Sequence, residues 1–230
     1  MRTKLINTCF VFIMNESLKK QQVQYIINQA EGVFFDKGYA YANISEISKA
    51  AQRSRTTIYS YFESRENLYM AVIYKSLQVF MQALSKVNLK HKSGQERVLA
   101  YCAGYLGFCQ EFPRRYQIIL DYYTYVRNST LIQPETPIQG AYNYFTKVQQ
   151  AAQIPVDMMY QEITSGQKDQ SISSEVLPEV LLLNIWAQLI GISHLVPTSG
   201  NKNLNLAGKE VNNWQEKALD MIKKMLLNGH

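Results

Sequence analysis

Cysteine is scarce in this chain: three in 230 residues, Cys9, Cys102 and Cys109. So odd and sparse a set excludes a disulfide framework. Cys102 and Cys109 stand in one predicted helix, where a rise of about 1.5 Å per residue separates them by about 10 Å, beyond the reach of a bridge. Reduced thiols of a reducing compartment are expected. Their neighbours are apolar rather than cationic, which favours pocket lining over redox sensing. Histidine is equally sparse: His91, His194 and His230 lie far apart and show no metal-ligand spacing. No glycine-rich phosphate loop and no nucleophile elbow is found. No catalytic residue, metal or cofactor is therefore assigned, and the chain is not expected to be an enzyme. No run approaches the roughly 18 apolar residues that a membrane span needs. Alternating strand patterns bounded by hairpin dipeptides are missing as well. Charged residues make up only 18% and apolar ones 47%, which excludes a disordered chain and allows a substantial core.

What is present is helical periodicity and an uneven charge. The net charge is +6, and residues 1–87 hold 11 Lys/Arg against 6 Asp/Glu, so the excess sits in the N-terminal third. That asymmetry points to an anionic partner for this part. The opening "MRTKLINTCFVFIM" faintly resembles a secretion signal, but Asn7 and Thr8 interrupt its apolar run and no small-residue cleavage site follows. Met14 offers a natural start, so residues 1–17 are read as a disordered or upstream-start extension.

Val23, Ile26, Ile27, Ala30 and Phe34 form a helical stripe over 18–37, and Gly38 supplies a stop. Asn43 with Glu46 reads as the capped start of a short helix carrying Ile44, Ile47 and Ala51. Gln52 and Arg53 make a tight connection, Ser54 caps a second short helix to about 61, and Ser64 caps a long one over 65–87. Two short helices joined by a tight turn are the helix-turn-helix pattern, whose second helix enters the major groove N-terminus first. In "SRTTIYSYF" (54–62), Arg55, Thr56 and Thr57 then face nucleic acid, while Ile58 and Phe62 hold the helix on its scaffold. Tyr59 can pack its ring and present its hydroxyl. The DNA-facing set predicted on these grounds is Asn43, Ser45, Arg53, Ser54, Arg55, Thr56, Thr57, Tyr59, Ser60 and Arg65.

"ISEISKAAQRSRTTIYSYFESRENLYMAV" (44–72) resembles the N-terminal domain of TetR-family transcription regulators. Ile47, Ala50, Ala51, Ser54, Ile58, Tyr59, Tyr61, Phe62, Glu66 and Leu68 fit that family's pattern in order and spacing. Three places depart from it. Gln52-Arg53 replaces the Gly-Val of the turn, Thr56 replaces a glycine before the recognition residues, and Arg65 replaces a lysine. Without the turn glycine, either Gln52 adopts an unusual backbone angle or the turn differs.

Beyond residue 88, helices are predicted over 95–112, 114–127, 138–164 (with Pro155 as a potential break), 179–195 and 210–227. Loops are expected over 131–137, 165–174 and 196–209. The helix 179–195 is apolar on nearly every face, so it requires cover on more than one side. With 210–227 it is expected to build a four-helix bundle between two chains, an arrangement the resemblance also implies. Tyr101, Tyr105 and Cys109 share one helical stripe, and Tyr116 and Tyr123 share another. Together with Phe145 they are the candidate ligand-binding residues of a concave, mostly apolar site. Glu111, Asp121 and His194 are the charged groups available to a cation.

The expectation is an all-α protein: a helix-turn-helix DNA-binding domain over 18–63, a connecting helix over 64–87, and a ligand-binding and dimerisation domain over 88–230. The resemblance implies a cytoplasmic, homodimeric regulator, a repressor released from palindromic double-stranded operator DNA by a small apolar or aromatic effector. The alternative is a helical small-molecule carrier or enzyme without DNA binding.

Overall fold

The computed structural model describes residues 2–90, 92–123, 138, 142–195, 203–206 and 208–228, with side chains from Glu16 onward except at 203–206, 209, 211 and 228. Its elements are α1 (Arg2–Tyr41), α2 (Ile44–Ala51), α3 (Arg55–Phe62), α4 (Arg65–Ser85), α5 (Gly94–Glu111), α6 (Pro113–Asp121), α7 (Tyr144–Lys168), α8 (Pro178–Leu195), β1 (Asn203–Leu206), β2 (Lys209–Asn212) and α9 (Trp214–Asn228). Among the described residues the all-helical class holds apart from one short hairpin. Two compact units are present: Met1–Lys75 with Leu120–Val148, and Ser76–Ile119 with Gln149–His230. The division falls inside α4 and inside α7, and 120–148 joins the N-terminal unit rather than the rest of 88–230.

In the first unit α1 begins at Arg2, inside the stretch expected to be disordered. Residues 1–31 contain neither glycine nor proline, so nothing breaks the helical backbone there. Gly38 (φ 70°, ψ 171°) interrupts helical geometry near the end, where the stop was expected. Val23, Ile26, Ile27, Ala30 and Phe34 are all buried. The α2 start is capped as its sequence predicts, with the Glu46 amide donating to Asn43 Oδ1 at 3.0 Å.

The α2–α3 turn keeps its shape without glycine. Gln52 takes the left-handed conformation (φ 49°, ψ 43°), its amide donates to Lys49 O and the Arg53 amide donates to Ser48 O. A sharper corner links α3 to α4. Glu63 has φ 62° and ψ −36°, and the Ser64 amide donates to Phe62 O, a strained three-residue turn. Asn67, fully buried, holds that corner. Its Nδ2 donates to Phe62 O and Tyr142 O at 2.9 Å each, and its Oδ1 accepts from the Tyr144 amide at 2.8 Å. One side chain thus ties the end of α3 to the start of α7, which draws residues 142–144 into the N-terminal unit.

In the second unit α5 starts with a full capping box between Ser93 and Glu96. That start docks on the end of α7. The Gly94 amide donates to Asp169 Oδ2 at 2.8 Å and the Gln95 amide to Ser171 Oγ at 3.0 Å. A Cβ on Gly94 would lie 2.2 Å from Gly166 Cα, so glycine is required for this approach. Pro155 sits inside α7 without ending it, contrary to the break considered for it. The predicted loop 196–209 and helix start at 210 also require correction. Leu204 pairs with Val211 and Leu206 with Lys209 in an antiparallel hairpin, Gly208 turns it at φ 78°, and the last helix begins at Trp214. The asparagine-leucine alternation of "NLNL" is a period-2 pattern too short to stand out. The expected loop 131–137 and the helix end at 127 lie outside the described residues.

Candidate nucleic-acid interface and ligand pocket

The first candidate site is built on α2 and α3. Ile44, Ile47 and Ala51 of α2 and Ile58 and Phe62 of α3 are buried. Their burial leaves the opposite face of α3 outward. Ser54 caps α3, accepting from the Thr57 amide at 3.0 Å and sharing a hydrogen bond with Thr57 Oγ1 at 2.8 Å. Arg55 and Thr56 follow, both exposed, and their side chains have no partner among the described residues. Their amides are the orphan donors of the first turn. A cation, two hydroxyls and free amides at a helix start suit phosphate and base edges.

The remaining predicted residues are placed differently from one another. Tyr59 is 42% exposed with its ring on the outer face. Ser60 Oγ is turned back onto Thr57 O at 2.7 Å. Asn43 is a cap and Ser45 lies half-buried in the first turn of α2. Arg53 is exposed but donates to Gln52 O and Gln22 Oε1 and stands over the Tyr25 ring. Arg65 is drawn inward: it donates to Ala42 O at 3.0 Å, stacks 4.3 Å from the Tyr39 ring and pairs with Glu66. Arg65 is thus half-buried, with its guanidinium already engaged by these neighbours.

The second candidate site lies wholly in the second unit. It is an open pocket whose space, solvent at its mouth included, is about 490 Å³. Phe80 and Leu84 come from α4, Tyr101 and Tyr105 from α5, Pro155, Met158 and Met159 from α7, and Leu182, Ile185, Trp186 and Leu189 from α8. Its concave, apolar lining with a few polar tips is that of small-molecule sites.

Of the six residues predicted for ligand, Tyr101 and Tyr105 line the pocket. Tyr116 stands behind, its hydroxyl 3.3 Å from that of Tyr105. Burial raises the Tyr116 phenol above its usual range, and the hydrogen bond from Tyr105 partly opposes this. Cys109 is buried beside Ser193 Oγ at 3.5 Å, outside the lining. Burial pushes Cys109 and Cys102 up to about 12, so both are inert thiols. Tyr123 and Phe145 belong to the first compact unit and are not brought to this pocket. The sequence reading missed Phe80, Leu84 and the whole contribution of α8. Trp186, beside the apolar turns of "LLLNIWAQLIGI", was the available signal.

Among the described residues, no helix is long and apolar enough to cross a membrane, and no cluster of His, Cys, Asp and Glu could hold a metal ion.

Residues 26–72, which contain the capped α2, the turn and α3, match the family described as bacterial regulatory proteins, tetR family. Among curated proteins, the chain is 27% identical over 110 residues to the HTH-type transcriptional activator FasR of Mycolicibacterium smegmatis, covering 48% of each chain. It is 22% identical over 117 residues to the HTH-type transcriptional regulator QacR of Staphylococcus aureus, covering 51% of this chain and 62% of QacR. The chain therefore spans about half to three-fifths of the length of these relatives. The fold as a whole is similar to that of AibR, solved in complex with isovaleryl coenzyme A and operator DNA, at a TM-score of 0.61 and 17% identity over 90% of this chain and 98% of that one. The helix-turn-helix segment is thus similar to that of the bacterial regulatory proteins of the tetR family, and the helical fold around it is similar to that of AibR.

Proposed function

We propose that the protein is a ligand-responsive transcription regulator that binds double-stranded operator DNA through α2 and α3. The observation that carries this reading is the start of α3. Arg55 and Thr56 stand there exposed and without partners among the described residues, on a helix held by the buried Ile58 and Phe62. Arg55 reads a guanine edge or a phosphate, Thr56 and Thr57 contribute hydroxyls, and Ser54, Tyr59 and Asn43 flank them. Residues 18–63 serve as the DNA-binding domain, α4 as the connection, and the second unit as the effector and dimerisation domain.

The protein acts in the cytoplasm as a homodimer through α8 and α9, whose Leu183 and Met221 are 69% and 60% exposed. Two-fold symmetry matches a palindromic site. The effector, a small apolar or aromatic molecule, occupies the pocket and favours a form that no longer fits the operator. Repression is the mode proposed, and no step of it is enzymatic. α4 and α7 each run from one compact unit into the other and are the covalent routes for this coupling.

The test is an electrophoretic mobility shift on DNA upstream of the protein's own coding sequence, across a salt series. Binding that is sequence-selective, weakens with salt and is relieved by a pocket ligand is the expected result. Absence of any DNA affinity would leave a helical carrier as the reading.

A further inference from the structure

We infer that the pocket takes an uncharged, largely hydrocarbon molecule carrying one hydrogen-bond acceptor oxygen, and that the Tyr101 hydroxyl donates to that oxygen. This rests on the pocket being the effector site. Its walls are hydrocarbon and thioether: Phe80, Met158, Met159, Leu182 and Ile185, with no Asp, Glu, Lys or Arg among the lining residues. A lipophilic cation would therefore bring its charge into apolar surroundings without a counter-charge.

The two charges that act on Tyr101 are Glu162 and Arg97. They are bonded to each other at 2.5 Å, and Arg97 also donates to Lys92 O and Ser165 Oγ. Neither is left over for a ligand. Of the two lining tyrosines, Tyr105 donates to Tyr116. Tyr101 is only 7% exposed, and its hydroxyl has no hydrogen-bond partner among the described residues. Burial raises its phenol above the usual range, so it remains a protonated donor. A pocket-lining donor that no protein group engages is available to a ligand oxygen. The two methionines are unbranched and adaptable, so the hydrocarbon part is selected by polarity more than by shape.

The experiment uses the full chain and the neutral fluorophore N-phenyl-1-naphthylamine, followed by energy transfer from tryptophan. Displacement by 1-decanol is compared with displacement by decyltrimethylammonium. Decanol is expected to displace the probe at a concentration at least about tenfold lower than the cation. Tyr101→Phe is expected to weaken decanol about tenfold relative to the probe, which has no oxygen to accept from the hydroxyl, the loss of one hydrogen bond. Equal displacement by the two competitors, or decanol affinity unchanged in Tyr101→Phe, overturns the inference and leaves the pocket as a ligand site. Failure of the probe to bind, or energy transfer that survives Trp186→Phe together with binding that survives Leu182→Trp, overturns the pocket reading and the inference with it.

Discussion

Arg55 and Arg53 lie two positions apart and differ in what surrounds them. Arg55 has no partner among the described residues, whereas Arg53 is bonded to Gln52 and Gln22 and stands over Tyr25. Arg55→Ala is expected to weaken specific operator binding by about 1–3 kcal/mol if it reads a base, with a uniform loss across sequences if it meets only phosphate. Titration of operator and scrambled DNA in parallel separates the two, and unchanged affinity removes Arg55 from the interface. Gln52 is a second residue-scale case. A left-handed non-glycine residue costs roughly 1 kcal/mol, so Gln52→Gly should leave stability unchanged or raise it by up to about 1 kcal/mol once the added entropy of the unfolded chain is counted. Thermal melting checks this, and a clear loss of stability would show that the turn draws on the Gln52 side chain.

Two joints stand out among the elements. The Asn67 joint satisfies two carbonyls and one amide between the end of α3 and the start of α7. Asn67→Leu keeps the volume but strands those groups, for an expected loss of about 3 kcal/mol, since each unpaired buried group costs about 1–3 kcal/mol. Urea unfolding measures it. At the second joint, Gly94→Ala is expected to cost at least about 1–3 kcal/mol by overpacking, because backbone rather than a flexible side chain meets the new methyl group. The same joint carries a pH dependence. The Ser171 side chain, together with the Gly94 and Ser171 amides, holds the Asp169 carboxyl below its usual range. A carboxyl lowered on folding stabilises at pH values above the ordinary range of about 4, and that contribution is lost as pH falls through the lowered value. Asp169→Asn should flatten the acid side of the stability profile, as read by melting temperature against pH.

For the whole molecule, the outward apolar positions identify the seam to test. Leu189, although on α8, is 4% exposed and lines the pocket, so a charge there reports on the pocket rather than the interface. Leu183→Glu with Met221→Glu places charges on the outward faces of α8 and α9. The double variant is expected to sediment as a monomer, and a persistent dimer would put the interface elsewhere. Effector and operator are expected to oppose each other reciprocally, each lowering the affinity for the other by the same factor, about 5–150-fold. Calorimetric titration of a pocket ligand into free and operator-bound protein tests this, and equal affinities exclude allosteric induction.

The helix-turn-helix was legible because its determinants are local. Asn43 and Ser54 cap within three residues of their acceptors' partners, and Ile44, Ile47, Ile58 and Phe62 repeat at helical spacing. Arg65 shows the limit of that reading, since only the fold brings Tyr39 and Ala42 to its guanidinium. The pocket was legible only in part for the same reason. A tyrosine stripe reveals one face of one helix, but four helices distant in sequence must converge before that face lines a cavity. Periodicity therefore determined which residues turn inward. Only tertiary packing decided that Tyr101 and Tyr105 meet α8, that Tyr123 and Phe145 fall in the other compact unit, and that Gln52 carries the turn, because long-range burial and backbone strain are set by partners that no local stretch contains.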